Sequence, residues 1–187
     1  MQDILNPYDS KKFSEGVLCR VEQLEPKKET ARMTIKVTSS AFQSGQAIPA
    51  RYTCEGADTS PPLQWSGVPV GAKTLALICD DPEAPVGTWV HWVLYDLPVT
   101  TAELTEKAPT SEMLPSCAKQ GINDFKRVGY GGPCPPPGKP HRYYFKLYAL
   151  DIELALKPRA TKQELLRAME GHILVDGQLM GTYQRRR

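Results

Sequence analysis

Polar and apolar residues alternate from Thr34 to Val37, the pattern of a half-buried strand. Lys73 to Cys79 follows Gly71 as a nearly unbroken apolar run and predicts a strand within the core. Trp89 to Tyr95 and Arg142 to Leu150 predict two more. Because strand side chains alternate between faces, Trp89, His91, Val93 and Tyr95 are expected on one face, with Val90, Trp92 and Leu94 on the other. In the later strand His141, Tyr143, Phe145 and Leu147 point one way, and Arg142, Tyr144, Lys146 and Tyr148 the other. Gly45, Pro49, Gly56 and the Pro61-Pro62 pair mark loops.

The C-terminal part reads differently. Thr161-Lys-Gln-Glu164 is a capping box, preceded by Pro158, carrying Leu165, Leu166 and Met169 as an apolar stripe and stopped by Gly171. His172 to Tyr183 is apolar but broken by Gly177 and Gly181, and is expected to form a second short helix or a turn. Residues 1–32 carry dense charge of both signs and sustain no period. They read as an N-terminal extension, partly ordered or disordered, in which Ser14 to Leu24 would make a short helix. Residues 33–187 are left as one mainly β domain with a small helical cap.

Composition narrows the class. A chain of 187 residues with a formal net charge of +2, 41% hydrophobic and 24% charged, can bury a real core and offers no basic surface for nucleic acid. Arg185-Arg186-Arg187 reads as a solvated tail. No apolar run approaches the roughly 18 residues of a membrane span, and MQDILNPYDSKKF lacks a signal peptide's apolar stretch. The expected location is cytoplasmic, without integral membrane association. The 5 cysteines, Cys19, Cys54, Cys79, Cys117 and Cys134, are scattered without a C-x-x-C pair. That spacing argues against a disulfide framework and against a zinc knuckle. Cys79 reads as a small buried hydrophobe and Cys134 as an exposed thiol.

The candidate chemistry lies in two stretches, Asp80 to Trp92 (DDPEAPVGTWVHW) and Gly129 to Phe145 (GYGGPCPPPGKPHRYYF). Only 3 histidines occur, and each stretch sets one of them, His91 or His141, beside aromatic residues and a proline-stiffened loop. Prolines fix φ and lower the entropy cost of holding a loop's shape. Asp81, His91, His141 and Tyr143 are therefore read as one polar pocket. Imidazole and phenol groups suit a phosphate or carboxylate, and the backbone N–H groups of Gly131, Gly132 and Gly138 are expected to add donors. Asp81 would orient a histidine or meet the cationic end of a zwitterion.

Other readings compete. Two histidines and a carboxylate are the ligand types of a facial metal triad, without H-x-H or H-x-x-x-H spacing. A serine hydrolase would need an elbow, and G-x-S-x-G is absent. Either histidine alone fits a satisfied core residue, and Asp80 rather than Asp81 would serve as the turn-initiating residue before Pro82.

The run DDPEAPVGTWVHWVLYDLP, with YGGPCPPPGKPHRYYFKLYALD downstream, resembles the phosphatidylethanolamine-binding protein family, which includes the Raf-kinase inhibitor proteins. IPARYTCEGADTSPPLQW is similar to its bacterial and archaeal branch. The resemblance covers Met33 to Tyr183. It implies a large antiparallel sheet packed with a smaller one, a C-terminal helix, and a small anion-binding pocket that uses no cofactor or metal and catalyses no reaction. It places the pocket at Asp81 of D-P-x-A-P, Trp89 and His91 of W-x-H, Gly132 to Pro135 of G-x-x-P, and His141, Arg142 and Tyr143 of H-R-Y. A C-terminal aromatic that closes the pocket in some members corresponds to Tyr183. Val90 stands where many eukaryotic members have a second histidine, and the Pro85–Trp89 segment is short, as in prokaryotic members. The implied ligand is phosphate or phosphoethanolamine, with a kinase or protease as a partner to regulate; a hydrolase of small phosphate or ester substrates is the alternative. An exposed edge strand would allow a homodimer.

Overall fold

Thr74–Asp81 is buried at all 8 positions, which requires cover on both sides of the strand. In the computed structural model, which describes residues 34–185, this strand (β3) is central in a five-stranded sheet and has that cover. The remaining strands are β1 (Lys36–Thr38), β2 (Leu63–Ser66), β4 (Trp89–Pro98), β5 (Glu103–Leu104), β6 (Lys119–Gln120), β7 (His141–Leu150) and β8 (Ile173–Tyr183). The large sheet has the order β6-β4-β3-β7-β8, and β1-β2-β5 form a smaller sheet. All strand pairs are antiparallel.

One apolar cluster joins the two sheets. Leu63 and Trp65 from β2 meet Leu75, Leu77, Trp92, Leu94, Phe145 and Leu147 from the large sheet. A second cluster lies on the opposite face, where Ala76, Ile78, Val93 and Tyr95 receive Leu165 and Met169 from α1 (Lys162–Met169). The large sheet is thus sandwiched, and β3 is apolar on both faces for that reason. Helix α1 is capped as expected: the Thr161 side chain accepts from the Glu164 N–H, and the Glu164 carboxylate accepts from the Thr161 N–H. Leu165 and Met169 are buried, while Leu166 faces outward.

Strict alternation fails along β4. Cys79 pairs with Trp92 and Asp80 with Val90, so His91 is the extra residue of a bulge. Two residues then oppose one, and the facing parity flips. Trp92 and Leu94 belong to the inter-sheet cluster, and His91 lies on that same side, edge-on to Tyr143 at 5.1 Å. Val90, Val93 and Tyr95 take the helix side. The expected grouping of His91 with Val93 and Tyr95 is therefore wrong. In β7, by contrast, alternation holds: His141, Tyr143, Phe145 and Leu147 are buried, and Arg142 is exposed.

Two further expectations are corrected. The segment after Gly171 is neither helix nor turn but β8, which pairs with β7 from Ile173 to Tyr183. Its glycines lie where other chain segments press against the strand, which the sequence presents as interruptions. The cysteines are not all independent, since Cys54 and Cys134, 80 residues apart, form a disulfide. Cys79 is free and buried, and burial raises its thiol pKa well above the ordinary value. The expected extension at residues 1–32, with its short helix, lies outside the described residues.

Candidate functional site

The β3–β4 turn, the start of β7 and the irregular segment before it meet at one end of the large sheet. Irregular backbone can sit there because it borrows the free edge of β4. The N–H groups of Gly121, Asp124 and Gly131 donate to the carbonyls of Val93, Val90 and His91, at 2.8, 3.0 and 2.9 Å. The Val90 N–H donates to the Asp124 carboxylate at 2.7 Å, and the Asn123 side-chain amide donates to the Gly129 carbonyl at 2.9 Å. This stitching brings Phe125 against Trp89 and His91, with ring centroids 5.4 and 5.3 Å apart.

A cavity of ≈ 210 Å³ opens between these elements. It is lined by Asp81, Trp89, His91, Pro135, His141 and Tyr143, six of the residues singled out in the sequence. Ala84, Pro85, Val86, Phe125, Cys134 and Pro136 complete the wall. The space is about seven times the ~30 Å³ that a water molecule occupies in the liquid.

Inside, hydrogen bonds fix the polar groups. The His141 Nδ1–H donates to Asp81 Oδ2 at 2.8 Å, which leaves Nε2 as the ring's free nitrogen. Asp81 Oδ1 accepts the Glu83 N–H at 2.8 Å, so Asp81 both shapes the turn and orients His141. Asp80 is turned the other way, toward Lys146 and Lys162 beside α1. The His91 Nδ1–H donates to the Gly131 carbonyl at 2.6 Å. Burial pushes the His91 pKa down, against the opposing pull of the Gly131 carbonyl and the Asp81 charge. A neutral His91 with its proton on Nδ1 offers Nε2 as an acceptor. Burial also pushes the Tyr143 hydroxyl well above its ordinary pKa, with the Asp81 charge adding to the effect, so it is a donor throughout the physiological range.

Two buried donors on residues that line this cavity lack a well-formed hydrogen bond to protein: Tyr143 Oη, which lies near the Asp81 carboxylate, and Trp89 Nε1. An unsatisfied buried polar group costs about 1–3 kcal/mol, and native proteins tolerate few of them. Both residues line the cavity.

Two site expectations land elsewhere. Gly132 does not line the cavity, and its N–H is taken by Asp58 Oδ1 at 2.6 Å, as the Gly131 N–H is by the His91 carbonyl. Neither is free for a ligand. A Cβ at position 132 would stand 2.5 Å from the Tyr52 carbonyl oxygen, which accounts for the glycine. Tyr183 lies opposite His141 in the β7–β8 ladder but lines a neighbouring depression with Ala47, Ile48, Ala50, Glu55 and Gln184. Its hydroxyl is bonded to the Glu55 carboxylate. The residues the sequence reading missed are Asp58, Asn123, Asp124 and Phe125, which hold the wall from an aperiodic segment and a distant loop. Asp58 also accepts from the Arg127 guanidinium at 3.0 Å. Among the described residues, no group of three or more His, Cys, Asp or Glu side chains is placed to hold a metal ion.

The His91 geometry has a pH consequence. The folded chain takes up the His91 proton at lower pH than the unfolded chain, whose ordinary value is about 6.5. Below that value the unfolded state binds the proton first, so this contribution to stability is complete at higher pH and drains as pH falls. Urea denaturation at steps from pH 7.5 to 5 is expected to give a falling midpoint. His91→Gln is expected to flatten that fall, leaving the carboxylate-driven loss at lower pH, where Glu83 is held below its usual range by Arg142.

A two-sheet β domain with a histidine-lined cavity at one sheet end is the class that fold and site define. The family model described as phosphatidylethanolamine-binding protein matches residues 38–184. A UPF0098 protein of Methanothermobacter thermautotrophicus is 50% identical over 151 residues, covering 81% of this chain and 99% of that protein. The Chlamydia trachomatis homologue CT736 superposes with a TM-score of 0.75 at 43% identity, over 82% of this chain and 99% of its own. Escherichia coli YbcL, described as a new member of the mammalian PEBP family, superposes with a TM-score of 0.76 at 33% identity, over 81% of this chain and 99% of its own. The chain belongs to the phosphatidylethanolamine-binding protein family, in its bacterial and archaeal branch. Among the described residues, no helix is long and apolar enough to cross a membrane.

Proposed function

We propose that this protein is a non-enzymatic binding protein whose cavity takes a phosphate-type group, as free phosphate or as the head of a phosphomonoester such as phosphoethanolamine. The observation that carries the reading is the pair of orphan donors, Tyr143 Oη and Trp89 Nε1, beside the free Nε2 atoms of two oriented histidines. An anion's oxygens would satisfy the donors with charge-assisted hydrogen bonds, roughly twice as strong as neutral ones. The His91 Nε2 lone pair calls for one proton on the guest, so a monoprotonated phosphate fits better than a bare dianion. Asp81 adds to that preference, since its charge repels a fully ionised ligand. The mainly carbon wall from Ala84, Pro85, Val86 and Phe125 leaves room for a substituent beside the anion. Occupancy would then regulate a protein partner, a kinase or a protease being the candidates.

Calorimetric titration with phosphate and phosphoethanolamine tests this. Tyr143→Phe removes the hydroxyl and keeps the ring. Its phosphate affinity is expected to drop about 10–100-fold, the worth of a hydrogen bond to a charged group, at unchanged or slightly higher stability. The double variant His91→Ala/His141→Ala is expected to bind no phosphate. Equal affinity in the wild type and Tyr143→Phe would end the proposal.

The Asp81–His141 pair also favours a second reading, a hydrolase of small phosphate or ester substrates with His141 as general acid or base. Turnover by the wild type that vanishes in Asp81→Asn would put catalysis first.

A further inference from the structure

We propose that the Cys54–Cys134 disulfide is a thiol-exchange site built into the cavity wall, through which a dithiol reductant loosens the pocket without unfolding the protein. Three features of its surroundings carry this. Both cysteines are exposed, so a thiolate can reach either sulfur. Exposed disulfides are the ones more readily reduced and more often regulatory. Neither residue belongs to either apolar cluster, so opening the bond removes nothing from the core. Cys134 itself lines the cavity, next to Pro135 and Pro136.

The bond also marks a boundary in how the wall is held. On its inner side the loop is secured independently: the Tyr130 hydroxyl donates to the Tyr52 carbonyl at 2.8 Å, and the Gly132 N–H to Asp58. The Cys54 N–H donates to the Pro133 carbonyl at 3.1 Å. On its outer side, Pro136 to Pro140 is exposed, and among the described residues the Gln184 side-chain amide on the Gly138 carbonyl is its one hydrogen bond to distant chain. The disulfide is the last covalent tether before the tip. Its second end holds Cys54 next to Glu55, the residue that accepts from Tyr183. Reduction frees the outer wall and leaves the inner anchors in place.

The exchange balances as two electrons and two protons. One thiolate of the dithiol attacks a cysteine sulfur, breaks the S–S bond and forms a mixed disulfide. Its second thiol displaces the remaining cysteine, so the reductant leaves as a disulfide and Cys54 and Cys134 as thiols.

The test uses the full chain, oxidised, with the bond located by peptide mass mapping, then treated with dithiothreitol without denaturant. The bond is expected to open while the near-ultraviolet circular dichroism is kept. Amide exchange at Thr53 to Gly56, whose N–H groups are hydrogen-bonded in the folded chain, is expected to speed up about tenfold. Phosphate affinity should fall about tenfold as the wall loses its preorganisation. Cys54→Ser/Cys134→Ser should match the reduced protein and ignore the reductant. A bond that fails to form on oxidation, opens only in denaturant, or opens with unchanged exchange overturns the proposal, as does equal phosphate affinity of the two forms. The affinity arm rests on the anion-site reading and the exchange arm does not. If exchange quickens while phosphate binds neither form, the anion reading falls and the exchange site stands.

Discussion

Phe145→Ala is expected to destabilise the protein by about 3–5 kcal/mol, the usual cost of removing a buried phenyl ring. The side chain is wholly buried, facing Cys79 across the β3–β7 ladder. Its ring lies 6.0 Å from Phe42 and stacks on Tyr130 at 6.5 Å. Tyr130 is next to Gly131, whose carbonyl fixes His91. A hole beneath Tyr130 therefore lets the pocket wall sag as well as weakening the core. Urea denaturation gives the stability change, and phosphate titration well below the unfolding midpoint gives the loss in binding. Phe145→Leu should cost less, because most of the volume is kept. A loss under about 1 kcal/mol for the alanine variant would mean that the core can collapse around the gap.

Gly177→Ala is expected to lower the melting temperature by about 6–12 °C, which for a chain of this size corresponds to roughly 3 kcal/mol. The Ile35 N–H donates to the Asp176 carbonyl at 3.1 Å, so the strand leading into β1 lies directly against β8. A Cβ on residue 177 would overlap the Ile35 carbonyl oxygen and stand 2.6 Å from its carbon. The obstacle is backbone, and no rotamer change relieves it. Scanning calorimetry against Gly171→Ala separates the causes, since Gly171 has open space but a φ of +79°. A Gly177→Ala melting temperature within about 2 °C of wild type would mean that the two segments can part cheaply.

How far the sequence carried the fold follows from which forces it displays. The strands β3, β4 and β7 and the helix α1 were legible because burial and capping leave periodic marks on neighbouring residues. Strand β8 was misread because the half-buried Gly177 and the buried Gly181 report close approach by other parts of the chain. Close approach leaves no local period.

The site followed the same logic. Asp81, Trp89, His91, Pro135, His141 and Tyr143 come together because each sits in or beside a strand or a stiff turn. Asp58, Asn123 and Phe125 were silent, since their importance lies in partners far along the chain. The Cys54–Cys134 pairing was hidden too: 80 residues separate the two, and no spacing rule reaches that far. The resemblance to a family supplied the pocket's neighbourhood, while the engaged N–H groups of Gly131 and Gly132 became visible only with coordinates.

The extra residue at His91 divides the surrounding chain into segments with unlike tolerance for insertions. Between Glu83 and Thr88, lengthening or trimming reshapes the rim while both imidazoles keep their seats. Within Trp89 to Trp92, gaining or losing one residue would carry the ring through to the helix side, among Val93 and Tyr95. Natural variation in loop length can therefore tune what enters the cavity, but the count of residues in this short stretch of strand is a fixed quantity for any descendant that keeps the pocket.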